Sequence, residues 1–169
     1  MPNSGKVKIL SEDEIQRKLR RMSYEIHENC FHEKEVFLIG IRERGCQLVE
    51  HLLPHLKKIS KAKIEVLEIG LDKKDPSKYA FTEGFDQKCL KGKTVILTDD
   101  VLNTGKTLMY AASALLLNHC RQLVTVVLVN RRHRLFPIRA DIVGLTLSTT
   151  LKEHIEVELK KKDSAVYLK

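Results

Sequence analysis

Residues Lys93 to Ala112 read KTVILTDDVLNTGKTLMYAA. Thr94 to Leu97 are apolar or β-branched and predict a buried strand, which ends in two consecutive carboxylates, Asp99 and Asp100. The polar run Asn103-Thr104-Gly105-Lys106-Thr107 then opens a helix, with Leu108, Ala111, Ala112 and Leu115 at helical spacing. The first N–H groups of a helix are unpaired and carry partial positive charge, so a turn holding Gly105, two threonine hydroxyls and Lys106 suits a phosphate monoester. Neighbouring Asp side chains leaving a strand point to opposite sides, so at least one can accept hydrogen bonds from a sugar diol beside that phosphate. Phosphate and vicinal hydroxyls together describe a ribose 5-phosphate.

Gly-Lys-Thr also closes the loop of nucleotide triphosphatases. That loop requires a first glycine five residues before Gly105, and Asp100 stands there without any glycine-rich run ahead of it. An ordinary strand-turn-helix with solvated acids is the plainer alternative. Against it, the whole 13-residue pattern from Val95 to Thr107 fits one purpose. The stretch resembles the phosphoribosyl diphosphate (PRPP) signature of type I phosphoribosyltransferases, and DDVLNTGKT is most similar to the pyrimidine operon attenuator and uracil phosphoribosyltransferase family.

Elsewhere the chain alternates apolar strands with helices, which predicts an α/β domain whose ligand sits at the carboxyl ends of parallel strands. Ser11 with Glu14 forms a capping-box signature, and Ile15, Leu19, Met22 and Ile26 predict an amphipathic helix over 12–29. Its other face carries Arg17, Lys18, Arg20 and Arg21, a solvated face or part of a nucleic-acid surface. Val36 to Ile41 reads as an inner strand and stops in Gly40-Ile41-Arg42-Glu43-Arg44-Gly45, a loop suited to a second anion. Cys46 to Leu56 is helical by spacing, with Pro54 expected to kink or stop it. His51 and His55 stand at i, i+4 without a third metal ligand in sight. Ile64 to Ile69 alternates as a half-exposed strand, and no period survives from Gly70 to Gly92, which reads as a long mobile loop. Leu123 to Val129 is another strand, and Ile142–Leu147, Glu156–Leu159 and Ala165–Leu168 read as short ones, partly at the sheet edge.

With 169 residues, 43% of them apolar, the chain is read as a single domain over 1–169. A net charge of +8, from 30 basic and 22 acidic residues, fits anionic partners such as polyphosphates or RNA without choosing between them. Cys30, Cys46, Cys89 and Cys120 show no ligand spacing and read as buried or half-buried thiols in a reducing compartment. The opening MPNSGKVKILSEDEI lacks an apolar leader core, and no run approaches the roughly 18 apolar residues of a membrane span, so a cytoplasmic protein away from membranes is expected.

The resemblance implies more. The fold would be type I phosphoribosyltransferase-like: a central, mainly parallel sheet flanked by helices, with a small hood and a flexible lid loop. The activity would be Mg²⁺-dependent transfer of phosphoribose from PRPP to a nucleobase, uracil first, in a homodimer. Asp99 and Asp100 would hold the ribose hydroxyls, and Asn103, Thr104, Gly105, Lys106 and Thr107 the 5-phosphate. Ile41, Arg42, Glu43 and Arg44 match the family's pyrophosphate loop, in which a strained cis peptide is frequent. The lid motif LYRDD reads Leu71-Asp72-Lys73-Lys74-Asp75 here and the segment after it is shorter, with Lys73 or Lys74 closing on pyrophosphate. Mg²⁺ would ride on PRPP and waters, with no dedicated protein ligand. Residues 130–141 resemble the family's DRGHRxLPIRAD, departing at Asn130 and Arg132, and place Arg134 and Arg139 where RNA is bound. The alternative is therefore a nucleotide-responsive RNA-binding regulator with little catalysis. Tyr24 and Leu145 replace a usual histidine and lysine, which points to weak, charge-driven RNA binding.

Overall fold

The computed structural model describes residues 5–169. A six-stranded sheet carries, in spatial order, β4 (Tyr79–Phe81), β3 (Lys63–Leu71), β2 (Glu35–Ile41), β5 (Thr94–Leu102), β6 (Gln122–Arg131) and β7 (Ile142–Leu147), and only β4 is antiparallel to its neighbour. Its centre is β2, paired on one side with β3 and on the other with β5. β6 and β7 continue from β5. The continuous apolar runs of β2, β5 and β6 are what a strand covered on both faces needs.

Alternate residues of β2 feed two cores. Val36 and Leu38 pack with α1 (Glu12–Asn29) and α2 (Arg44–Ile59), through Ile15, Leu19, Met22, Leu48 and Leu52. Phe37, Ile39 and Ile41 pack on the opposite face with α3 (Lys106–Leu117), through Leu108, Ala111 and Leu115. The first helix has the expected bounds, and the Glu14 carboxylate accepts from both the backbone N–H and the hydroxyl of Ser11, each at 2.8 Å.

β1 (Val7–Leu10), β9 (Ala165–Leu168) and β8 (Ile155–Glu158) form a separate antiparallel sheet in the order β1-β9-β8. This is the hood that the resemblance implies. It corrects the expectation that the last two strands lie partly at the edge of the main sheet, because β1, too short to show a period of its own, pairs with β9 instead.

Two further expectations are corrected. Pro54 does not stop α2, which runs on to Ile59. Pro54 lies on the exposed face, so the Glu50 carbonyl it cannot bond, on an equally exposed residue, is open to water. The span from Gly70 to Gly92 is not irregular: β3 extends to Leu71, pairs with β4 (Tyr79–Phe81), and a 3₁₀ turn follows at Gln87–Leu90. Tyr79, Phe81 and Phe85 meet edge to face and Phe85 reaches Phe37, so aromatic burial fixes a segment that lacks any period. Cys89, read as buried or half-buried, is exposed on that turn, whereas Cys30 is buried and Cys46 and Cys120 are half-buried.

The strand order places the site. From β2 the chain moves outward to β3, then returns to the other flank of β2 with β5 and proceeds outward to β6 and β7. The connections leaving β2 and β5 therefore diverge to opposite faces, and the crevice between their carboxyl ends is the switch point at which such sheets bind ligands.

Candidate active site

Two glycines bring the β2 connection against β5. A methyl group on Gly45 would stand 2.3 Å from the Thr98 carbonyl oxygen, and one on Gly40 would stand 2.7 Å from the backbone of Cys46. Thr98 closes the contact, its hydroxyl reaching the carbonyls of Gly45 at 3.0 Å and Ile39 at 3.3 Å. Between the glycines the chain turns at Glu43, with φ 67° and ψ −87°, and the Arg44 N–H donates to the Arg42 carbonyl at 3.1 Å. This is a γ-turn with positive φ at a non-glycine residue, a strained conformation of the kind held at ligand sites. All peptide bonds among the described residues are trans, this loop included, which differs from the cis peptide that the resemblance implies there.

Beyond Thr98, β5 runs past the end of β2, and Asp99 and Asp100 follow. Freed from ladder pairing on that side, the acids satisfy local donors: Asp100 N–H donates to Asp99 Oδ1 at 2.9 Å and Val101 N–H to Asp100 Oδ1 at 2.8 Å. Burial, and second the negative charge of Asp100, push Asp99 up to about 8, while Asp100 is raised chiefly by burial and partly relieved by the Val101 N–H and the Arg44 guanidinium. The Arg44 guanidinium is 4.0 Å from Asp100 and donates to the Val157 carbonyl of the hood at 2.7 Å. Arg44 thus ties the hood to the acidic pair.

The phosphate-type loop follows directly. Gly105 adopts a left-handed conformation (φ 89°) and caps α3, whose first turn contains no acid and whose Lys106 N–H donates to Thr104 Oγ1 at 3.3 Å. The N–H groups of Thr107 and Leu108 and the Lys106 side chain are available to an anion. The segment 132–141 backs this loop: the N–H groups of Leu135 and Phe136 donate to the Thr104 carbonyl at 2.9 and 3.1 Å, and Ile138 packs where a Gly105 side chain would be. A hollow of about 60 Å³ is lined by Asp99, Asn103, Thr104, Gly105, Lys106 and Thr107, among others. A larger cavity of about 360 Å³ brings Ile41, Arg42 and Glu43 together with Lys73 of the β3–β4 hairpin and with Lys106 and Thr107. Asp99, the phosphate-type loop, the β2 loop and Lys73 are therefore contiguous, since Lys106 and Thr107 line both spaces, whereas Asp100 lines neither and has the Arg44 guanidinium beside it. Lys74 is not part of that cavity and lies in a shallower hollow on the outer side with Lys78 and Tyr79.

Two participants escaped the sequence reading. Arg131, nearly fully buried, donates from Nη1 to Asn103 Oδ1 (3.3 Å), from Nε to Thr149 Oγ1 (2.6 Å) and from Nη2 to the Thr150 carbonyl (2.8 Å). A guanidinium only donates, so the Asn103 atom facing it is the oxygen, and the NH₂ group is left for the ligand side. The other is Glu68, on β3, which accepts from Arg42 Nε at 2.7 Å. Arg131 stands at a kept position of the 130–141 motif, but its role could not be read there, and Glu68 had no local signal, since both act across strands. Asn130 is buried, and its Oδ1 has no partner among the described residues. Arg134 is half-buried and Arg139 exposed, both on the segment that backs the phosphate-type loop. His55 is engaged by Gln16 at 3.2 Å, and no cluster of three His, Cys, Asp or Glu able to hold a metal occurs among the described residues. No helix among them is long and apolar enough to cross a membrane.

A mainly parallel sheet with paired acids and an open helix N-terminus at its switch point is an α/β fold with an anion-receptive cleft. The chain belongs to the phosphoribosyl transferase domain family, which it matches over residues 8–162, and its general function is phosphoribosyl transfer. Its relatives include bifunctional protein PyrR of Haemophilus ducreyi, 33% identical over 92% of this chain and 90% of that protein. They include also bifunctional protein pyrR of Enterococcus faecalis, 36% identical over 89% of this chain and 88% of that one. In fold it is similar to the hypoxanthine phosphoribosyltransferase of Trypanosoma cruzi, with TM-score 0.77, 18% identity and 94% of each chain covered. A hypoxanthine-guanine phosphoribosyltransferase of Bacillus anthracis gives TM-score 0.70 at 20% identity, covering 83% of this chain and 82% of that one.

The raised proton affinity of the acidic pair has a measurable consequence. A diol donates to carboxylates and favours their ionised form, so a ligand that seats its hydroxyls on the buried pair would expel the proton the pair retains. Below about pH 8 the affinity for Mg²⁺–PRPP is expected to rise with pH, with proton release visible in calorimetry across buffers of different ionisation enthalpy. Without ligand the sign is opposite: a group raised from 3.8 to about 8 stabilises the fold at low pH and loses that contribution as pH rises towards 8. Absence of proton release at neutral pH would contradict the raised pair.

Proposed function

We propose that the chain transfers the 5-phosphoribosyl group from PRPP to uracil, giving UMP and pyrophosphate. The observation that carries this reading is the single strand-loop-helix unit 94–117, which sets a desolvated acidic pair beside an open helix N-terminus, facing the β2 loop across the switch point.

In this reading Asp99 and Asp100 accept from the ribose hydroxyls, and the 103–107 loop holds the 5-phosphate. Arg42 and the Glu43 N–H face the pyrophosphate, and Lys73 approaches from the hairpin. Departure of pyrophosphate leaves an oxocarbenium-like centre at the anomeric carbon, so the protein's contribution is to position two reactants and stabilise separated charge. The acids, left with raised proton affinity by burial, suit a hydrated divalent cation as well as a diol, and when bound Mg²⁺ would neutralise the pyrophosphate.

Asn103 supports a pyrimidine acceptor. Purine-salvage relatives place an acid at this position, able to share a proton of the purine ring, and Asn103 is neutral with its oxygen taken by Arg131. Steady-state assays with uracil, hypoxanthine, guanine and xanthine are expected to favour uracil by at least about tenfold in kcat/KM. Hypoxanthine or guanine as the preferred acceptor would overturn the uracil assignment. A second reading, nucleotide-responsive RNA binding, is favoured by the exposed Arg139 and the net charge of +8, and the relatives named bifunctional keep it in view.

A further inference from the structure

Arg42 is half-exposed, yet its side chain is held in one place. Glu68 and Gly70 are two residues apart on β3 and so share a face. The Arg42 Nε donates to Glu68 Oε1 at 2.7 Å, and the guanidinium lies across Gly70, where a methyl group would stand 2.6 Å from Cζ and 2.9 Å from Nε and Nη1. Gly70 is not among the left-handed glycines, so its missing side chain serves space and not backbone conformation. Glu68 is itself fixed. Its N–H donates to Thr82 Oγ1 at 2.9 Å, its carbonyl accepts from the Thr82 N–H at 3.0 Å, and its second carboxylate oxygen lies 3.6 Å from Cys46 Sγ.

We propose that Glu68 and Gly70 form a dock that holds the Arg42 guanidinium at the mouth of the cleft, engaging Nε and leaving the Nη edge to pair with a diphosphate. This rests on the reading of the cleft as a PRPP site. A free arginine loses its rotamer entropy each time it grips an anion, and a docked one has lost it already. A planar guanidinium can offer one edge to a carboxylate and another to phosphate oxygens. Glu68 and Gly70 are positioning residues, acting only through Arg42.

The competing role for Glu68 is simple charge neutralisation, which would weaken anion binding. The two roles differ in sign. The pair is substantially exposed, with side-chain exposures of 54% and 36%, so breaking it leaves the fold intact. Inorganic pyrophosphate with Mg²⁺, and PRPP with Mg²⁺, are titrated by calorimetry into the wild type and into Arg42→Ala, Glu68→Ala, Glu68→Gln, Gly70→Ala and the double variant Arg42→Ala/Glu68→Ala. Arg42→Ala is expected to weaken both probes about tenfold. Glu68→Ala and Gly70→Ala each weaken them about threefold or more with unchanged Tm. Glu68→Gln, whose amide oxygen still accepts from Nε, binds as tightly as the wild type or tighter. In the Arg42→Ala background, Glu68→Ala has no further effect. Equal or tighter binding by Glu68→Ala, or an effect that persists without Arg42, overturns the dock while leaving the PRPP site standing. Wild-type protein that binds neither probe overturns both.

Discussion

Asp100→Asn is expected to weaken PRPP binding at least tenfold, while the ligand-free protein becomes as stable as the wild type or more so. The two effects have opposite causes. Asp100 is a partly desolvated carboxylate, and burial of its charge is an energetic cost of the empty site. Asparagine keeps an oxygen for the Val101 N–H at the 2.8 Å position of Asp100 Oδ1 and removes that buried charge. What it loses is the charge that a sugar hydroxyl or hydrated cation would meet. A charge-assisted hydrogen bond in such a place contributes about 1.5–3 kcal/mol, or roughly a factor of ten to more than a hundred in affinity. Calorimetry and a thermal melt on the same preparation read both signs. If Asp99→Asn and Asp100→Asn each bind PRPP as tightly as the wild type, the acidic pair does not hold the sugar.

Gly45→Ala is expected to damage fold and binding together. The added methyl group would meet the Thr98 carbonyl oxygen at 2.3 Å and the Ile41 Cβ at 3.2 Å, and the first of these is backbone of a central strand that cannot swing aside. Overpacking of this kind costs about 1–3 kcal/mol, and a backbone clash puts this position at the upper end. For a chain of this size that is a fall in Tm of roughly 2–4 °C per kcal/mol. The less costly escape is for the Glu43 turn to lift away from β5, which separates Arg42 and Arg44 from the acidic pair and lowers PRPP affinity beyond what stability alone explains. Wild-type Tm and affinity in Gly45→Ala would show that the close approach of the β2 loop to β5 is dispensable.

These two positions also mark what the amino-acid order reveals. The Asp99-Asp100 pair and the 103–107 loop are legible because strand, acids, turn and helix are contiguous, and each piece announces itself by period or by residue type. The β2 strand and its glycine-flanked arginines are legible for the same reason. Contacts between segments far apart in the chain are not. β1 is four residues beside a strong helix cap, and only its partner β9, at the other end of the chain, makes it a strand. The hairpin at Tyr79–Phe81 is three residues long and exists because β3 offers an edge and Phe85 a surface. Arg131 looks like one more surface cation in Asn130-Arg131-Arg132-His133, yet it is the buried donor that orients Asn103. Pro54 signals a helix end that does not occur, because the carbonyl it orphans lies on an exposed face.

Phosphoribosyl transfer to uracil can be observed directly. Protein mixed with PRPP, Mg²⁺ and uracil can be followed by phosphorus NMR, which resolves the diphosphate of PRPP, free pyrophosphate and the 5-phosphate of a nucleotide. The prediction is that pyrophosphate and UMP appear in equal amounts as PRPP disappears, and that neither forms when uracil is omitted. PRPP that stays intact with uracil and with every other base supplied, at protein concentrations that saturate it, would contradict the account.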